Sequence, residues 1–243
     1  MMIIETESLE YFDDFKDFCA LKIKCLIKAY GFGYDFLKCY MQFDSFNKPT
    51  ALIVKFYGSL TVSALDNCNT DEISQFINVL PINEISCVRS LCNSVPHLSS
   101  TECFAMTVET HSNSSPSTEL TNHCGYEELK HIYEMFSSDN EDISVGDFQH
   151  WYTDVNHRLR HGAAYVVSKP YGGCVSITNG EEIIINGITV EKNHRRMGYG
   201  RKIIDSICGL PENRIWALCT EKNIPFYIKC GFRKSGSYYI LKV

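Results

Sequence analysis

The segment Arg195-Arg196-Met197-Gly198-Tyr199-Gly200 brings two fixed positive charges and two glycines into six residues. Glycines let backbone N–H groups approach a ligand closely, and a helix start is a ready anion site. Guanidinium groups add bidentate donors for phosphate. The chemistry this pattern suits is the cradling of a pyrophosphate; the plainer alternative is a basic turn that caps a surface helix. The flanking elements are those a cradle needs. Ile183, Ile184, Ile185, Ile188 and Val190 predict a buried strand over 181–190. Gly187 within it predicts a bulge or a close backbone approach. Ile203, Ile204, Ile207 and Cys208 recur at helical spacing, and Gly209 and Pro211 stop that helix.

Three phosphate-binding patterns compete for this turn. A P-loop requires Gly-Lys-Ser/Thr, but Gly200 is followed by Arg201 and Lys202. A dinucleotide fingerprint requires a third glycine where Ile203 stands. The third pattern is Arg/Gln-x-x-Gly-x-Gly/Ala entered from a strand ending in Val. Arg195, Gly198, Gly200 and Val190 match it. Near the C-terminus, Phe226, Tyr227, Gly231 and Phe232 form Phe-Tyr-x-x-x-Gly-Phe on a short helix. In this order and at this spacing, the two motifs resemble the GNAT acetyltransferase superfamily over about residues 124–243.

That resemblance implies an α/β fold, a GNAT-like twisted mixed sheet with helices on both faces, in which the long strand splays from its neighbour. It implies acetyl-CoA as co-substrate. Pantetheine would pair with Ile188, Thr189 and Val190, and a backbone N–H near Val190 would face the developing oxyanion. The pyrophosphate would lie on Arg195, Arg196, Met197, Gly198, Tyr199, Gly200 and Arg201. Asn223, four residues before Tyr227, is a candidate cofactor contact; simple N-capping is the alternative. Tyr227 is the candidate general acid, because a phenol with a reference pKa of about 10 holds a proton at neutral pH. A packed core tyrosine is the alternative. Some relatives carry Glu where Ile184 stands, so Glu182 becomes the candidate general base, acting through water; the alternative is a solvated strand-end carboxylate. The acceptor loop would be Ser137–Asp147, whose Asp139, Glu141, Asp142 and Asp147 suit a cationic amine. His157 and His161 lack metal-ligand spacing, so no metal is expected.

Composition bounds the remaining possibilities. The chain has 243 residues, 44% of them hydrophobic and 21% charged, which suits a sizeable core and excludes a disordered class. A net charge of −6 argues against a general nucleic-acid or anionic-membrane binder. No run of about 18 apolar residues predicts a transmembrane helix. The N-terminus lacks the pattern of a secretory signal, and a cytoplasmic location is expected. The twelve cysteines then read as reduced core thiols.

Residues 111–122 are Ser/Thr/Asn/Pro-rich and read as a linker between a domain at 1–110 and a GNAT domain at 123–243. The first domain predicts a helix near 15–30 and a hairpin, 51–57 and 60–64, turning at Gly58-Ser59. A helix over 71–80 with Thr70 as N-cap follows, and then a strand at 102–110. This smaller α+β accessory domain resembles a shortened GNAT half without a cofactor loop; an unrelated fold stays open. In the second domain, helices are expected at 126–136 and 146–159, strands at 163–168 and 173–178, and a last strand at 235–243. The function implied is an acetyl-CoA-dependent N-acetyltransferase that acts on a primary amine by direct transfer in a ternary complex. A non-catalytic acetyl-CoA-binding regulatory module is the alternative.

Overall fold

A computed structural model of the protein describes residues 2–110, 124–139 and 146–243. The expected linker 111–122 lies outside the described residues. Two compact units form. One comprises Met1–Ala105, Cys219–Ile224 and Lys234–Val243. The other comprises Met106–Leu218 and Pro225–Arg233.

The first unit begins with β1 (Met2–Glu5) and α1 (Phe18–Tyr30). β2 (Leu37–Phe43), β3 (Pro49–Phe56) and β4 (Ser59–Ala64) follow as an antiparallel run. Then come α2 (Thr70–Ile77), β5 (Glu84–Val88), α3 (Arg89–Cys92) and β6 (Ser99–Glu109). β5 lies parallel to β4, with Leu60 opposite Ile85. One core joins Ala20, Ile23 and Leu26 of α1 to Cys39, Met41, Leu52 and Val54. The other joins Ile73, Ile77 and Leu91 to Ile53, Val62 and Cys87. Ile53 and Val62 alternate with Leu52 and Val54, so helices cover both faces of this sheet.

Several expectations shift here. The hairpin turns at Tyr57-Gly58, not Gly58-Ser59, because Phe56 and Ser59 form the last strand pair. Tyr57 accordingly sits at φ 50. Asn69, not Thr70, caps α2, since its side chain accepts from Glu72 N at 3.1 Å. β1, β2 and β5 were not expected. Lys38, Tyr40 and Gln42 interrupt the apolar signal of β2, and pairing with β1 and β3 makes it a strand.

The second unit holds α4 (Tyr126–Asp139), α5 (Phe148–Arg160), β7 (Ala164–Lys169), β8 (Gly172–Thr178) and β9 (Glu182–Val190). α6 (Tyr199–Cys208), β10 (Arg214–Cys219) and α7 (Ile224–Lys229) complete it. Its strand order is β10-β9-β8-β7, with the end of β6 beside β10. β10 runs parallel to β9, and β7, β8 and β9 are antiparallel. A Cβ on Gly173 would meet Ile132 of α4 at 2.6 Å, and one on Gly172 would meet Ile203 of α6 at 3.0 Å. Neighbouring glycines on one strand thus admit helices on opposite faces.

The last strand, β11 (Arg233–Lys242), pairs antiparallel with β5 from Tyr238–Val88 to Lys242–Glu84. The compact units and the sequence boundaries at 110 and 123 therefore divide the chain differently: strand pairing assigns the C-terminal residues to the first unit. All twelve cysteines are free. Burial pushes the Cys174 thiol up to about 12, which keeps it protonated and inert. No helix among the described residues is long and apolar enough to cross a membrane.

Candidate active site

The second unit's sheet opens along β9. Its parallel register with β10 runs from Glu182–Arg214 to Ile185–Ala217, while β9 itself continues to Val190. On its other edge β9 stays paired with β8 as far as Val190–Gly172. The β8 register shifts between Val175 and Ser176, opposite Gly187 and Ile185, so Asn186 is the extra residue of a bulge. A bulge bends and twists its strand, which accounts for the parting from β10. A Cβ on Gly187 would meet Phe136 Cζ at 2.8 Å, so the ring of α4 occupies the space that glycine leaves. Ile188, Thr189 and Val190 thus lie on the part of β9 beyond its register with β10. The Thr189 hydroxyl is buried and has no hydrogen-bond partner among the described residues.

Beyond β9 a short 3-10 turn, Lys192–His194, leads into the basic segment. Gly198 adopts φ 86 and caps α6 without a side chain. A Cβ there would touch nothing within 4 Å, so its space is open and its conformation is what requires glycine. The helix ladder begins with Lys202 N donating to Gly198 O at 3.1 Å. The preceding N–H groups of Tyr199, Gly200 and Arg201 belong to the first turn, whose donors have no helical acceptor. The first turn carries no acid, so its positive end is not neutralised locally. Arg195, Arg196 and Met197 are exposed beside it.

The roles of the two glycines separate. Gly200 is a packing position: a Cβ there would meet Phe226 of α7 at 3.1 Å. Arg195 Nε donates to Val190 O at 3.0 Å and ties the turn to the end of β9. Arg201 turns elsewhere, toward Asp205 at 3.0 Å and the carbonyl of Lys229 at 2.6 Å. Its side chain thereby caps α7, and its backbone N–H is what it offers an anion.

The Phe-Tyr-x-x-x-Gly-Phe segment has a local physical explanation. Gly231 adopts φ 93. Phe232 N donates to Tyr227 O at 3.0 Å, and Gly231 N donates to Ile228 O at 2.9 Å. These two bonds are a Schellman cap, and its usual apolar contact is the Tyr227–Phe232 ring pair at 5.3 Å. Tyr227 is 5% exposed and also meets Phe226 edge-on at 5.1 Å. Sequence spacing marks these residues; the cap explains why Gly and Phe follow Tyr at that distance.

Glu182 stands at the opposite end of β9, eight residues from Val190, or about 26 Å at ~3.3 Å per residue. Its Oε1 is held by Arg214 and Trp216, each at 3.3 Å. This geometry favours the strand-end reading of Glu182. Asn223 ends a 3-10 turn and donates its N–H to Thr220 O at 3.0 Å. Asp147 caps α5, accepting from Gln149 N at 2.9 Å and His150 N at 3.2 Å. The bond from His150 holds its carboxyl below the usual range. Glu141 and Asp142 lie outside the described residues, as does the Asp139 side chain. The His157 and His161 rings lie 4.3 Å apart, tilted by 31°, and no cluster of three metal-ligating side chains occurs among the described residues.

Sequence reasoning missed a depression of about 390 Å³ lined by Lys169, Pro170, Tyr199, Lys202 and Ser206. The spacing of Tyr199, Lys202 and Ser206 puts them on one helical face. Nothing local signals that Lys169 joins them.

Residues 160–234 match the acetyltransferase (GNAT) domain family model. Both halves have the GNAT fold. A tandem GNAT protein from the clavulanic acid biosynthesis pathway superposes with a TM-score of 0.59, over 99% of this chain and 98% of its own, at 6% identity. A putative acetyltransferase from Pyrococcus horikoshii gives 0.59 over 100% and 89%, at 11% identity. A GCN5-related N-acetyltransferase from Sphaerobacter thermophilus gives 0.57 over 90% and 84%, at 10% identity. At such identities the likeness is one of fold, and it extends the GNAT architecture to the first half. Among curated proteins none matches the chain by sequence.

Proposed function

We propose that the second unit transfers an acetyl group from acetyl-CoA to a primary amine by direct attack in a ternary complex. The observation that carries this reading is the continuity of three features: the part of β9 beyond Ile185, the glycine-capped start of α6 and the arginines before it. The donor set fits acetyl-CoA. Backbone groups of Ile188, Thr189 and Val190 suit an amide-bearing arm, as strand edges do. The N–H groups of Tyr199, Gly200 and Arg201, with Arg195 and Arg196, suit a pyrophosphate.

Acetyl-CoA supplies an activated acyl group on a thiol leaving group. The amine nitrogen attacks the carbonyl carbon and its lone pair forms the new C–N bond. A backbone N–H near Val190 donates to the carbonyl oxygen as negative charge grows there. The C–S bond breaks, and the Tyr227 hydroxyl gives its proton to the departing sulfur. The amine proton leaves to solvent, because Glu182 is engaged at the far end of β9. Tyr227 recovers a proton from solvent and closes the cycle. The acidic 137–147 segment would recruit the amine as a cation, which gives up one proton to solvent before its nitrogen attacks.

Isothermal titration with acetyl-CoA, followed by thiol-release assays over an amine panel, tests the proposal. One acetyl-CoA per chain and thiol release dependent on an amine are expected. Binding without release by any amine would reduce the unit to an acetyl-CoA-binding module. No binding would end the cofactor reading.

A further inference from the structure

One carboxylate between two imidazoles stands directly before the phosphate turn, and no role assigned above uses it. Glu191 follows Val190 at the end of β9 and caps the 3-10 turn Lys192–His194. Its backbone is fixed from both sides. The N–H donates to Tyr171 O at 2.9 Å, and the carbonyl accepts from His194 N at 2.9 Å. Its Oε1 lies 4.0 Å from Nε2 of His131 on α4, and its Oε2 lies 3.1 Å from His194 Nδ1. The side chains of His131, Glu191 and His194 are 42%, 35% and 28% exposed, so protons reach all three.

The contact at His194 suits a charge better than a hydrogen bond. Its Nδ1 is buried and makes no hydrogen bond among the described residues, although the carboxylate oxygen is so near. A close approach without alignment gives a neutral ring little, whereas an imidazolium gains Coulomb attraction at any angle. The ring is held for that contact. Tyr171 stacks on it at 3.7 Å with an interplanar angle of 10°, and Tyr199 of α6 meets it edge-on at 6.0 Å. Other charges face the trio from each packed element. On α4, Glu127, Glu128 and Glu134 lie one turn from His131 and favour its cation. The turn contributes Lys192 and Arg195, whose Nε donates to Val190 O. Lys169 ends β7, and Lys202 of α6 lies 5.4 Å from the Tyr199 ring centre. These cations oppose a charge on His194, and Glu191 is the carboxylate that offsets them. With neutral rings the trio is net negative; with both rings protonated it is net positive. Imidazole makes that change between about pH 5 and 8. Arg195 follows His194 directly, so the change occurs beside the phosphate seat.

We infer that His131, Glu191 and His194 form a pH-sensitive clamp on the phosphate turn, which tightens on protonation and strengthens acetyl-CoA binding as pH falls. The inference rests on the acetyl-CoA reading and adds a regulation to it. Protonated rings draw α4 and the 3-10 turn onto one carboxylate, and they replace a charge that repels phosphates by one that attracts them. The gain is present below the pH at which the rings titrate and is lost above it. By linkage, anion binding must then draw protons onto the clamp.

The test is calorimetric titration of the full chain with acetyl-CoA between about pH 6 and 8.5, in pairs of buffers that differ in ionisation enthalpy. A phosphate monoester titrates near pH 6 itself, so the ligand contributes its own pH dependence and the variants supply the reference. From high to low pH, wild-type affinity should rise about three- to ten-fold more than that of His131→Gln/His194→Gln, the scale of two partly screened charges. Proton uptake on binding should be larger in the wild type by the same comparison. His131→Gln alone, at an exposed helix position, keeps the fold and should remove part of both effects. Glu191→Gln should also lessen the uptake, because the rings lose the carboxylate that favours their charged form. Identical pH profiles in the wild type and the double variant would overturn the clamp and assign the dependence to the ligand, leaving the acetyl-CoA reading intact. Undiminished uptake in Glu191→Gln would overturn it as well, by reducing the trio to independent histidines. Absence of binding at every pH would instead overturn the acetyl-CoA reading and this inference with it.

Discussion

The two units place a helix at the same point of the same strand pattern and give its N-terminus opposite character. In each, two antiparallel strands lead into a helix whose following strand returns parallel to the one before it. At α6 the cap is Gly198, the first turn holds no acid, and Arg195 and Arg196 precede it. At α2 the cap is Asn69, and Asp71 and Glu72 occupy the first turn. Gln42, fully buried, closes that end further. Its Nε2 donates to Asn69 O at 3.1 Å and to Glu72 Oε2 at 2.6 Å, and its Oε1 accepts from Asn69 N at 3.0 Å. Side chains therefore satisfy donors at α2 whose counterparts at α6 have no side-chain cap, and carboxylates oppose an incoming anion. One fold position can thus be an anion site or a sealed cap, depending on a handful of side chains. The comparison predicts one acetyl-CoA per chain, held by the second unit.

The strongest way to break this comparison is Gly198→Val. A β-branched residue at φ 86 meets strain on the order of 1–3 kcal/mol, and its methyls crowd the open space. Acetyl-CoA affinity should drop by roughly 100-fold or more, since strain and obstruction add. Titration reads this directly; residual one-to-one binding at wild-type strength would mean that the ligand sits elsewhere. Next comes Tyr227→Phe. The Schellman cap uses backbone atoms and the ring remains, so the fold and acetyl-CoA affinity should hold. Turnover should fall by roughly ten- to a thousand-fold, the lower part of what acid catalysis supplies. Single-turnover acetyl transfer as fast as wild type would make Tyr227 a packing residue.

Arg195→Ala should act less strongly. It removes a cation from the turn and the tie to Val190 O, and should cost about 1–3 kcal/mol of acetyl-CoA affinity. A flat response in titration, with the fold intact by circular dichroism, would assign the anion to backbone groups alone. Asn69→Ala should have the smallest effect and sharpens the contrast from the other side. Losing an Asn cap costs about 1 kcal/mol of stability. Denaturant unfolding should register that loss while acetyl-CoA stoichiometry stays at one. A second acetyl-CoA bound to this variant would show that the cap, and not the acidic turn, had sealed the first half.

What residue order alone settles here is local. Gly198 and Gly231 each occupy a left-handed conformation beside a helix end, and the neighbours that such turns need lie within a few positions. The strand before α6 and the apolar face of α6 were legible for the same reason: both rest on short periodicities. Legibility fell where a residue's role depends on what crosses it. Gly200 reads from the sequence as part of an anion cradle, and only the fold adds that Phe226 of α7 takes the place of its missing Cβ. Arg201 reads from the sequence as a phosphate contact, and only the fold adds that its guanidinium meets Asp205 and the Lys229 carbonyl. The expected twisted mixed sheet is present, but β2 and β5 became strands only through their partners. Tertiary structure alone decided that the C-terminal strand pairs with Glu84–Val88, and that Lys169 shares a depression with Lys202. Strand pairing and side-chain convergence join residues far apart in the chain. Their energetics depend on register and burial, which no short window of sequence contains.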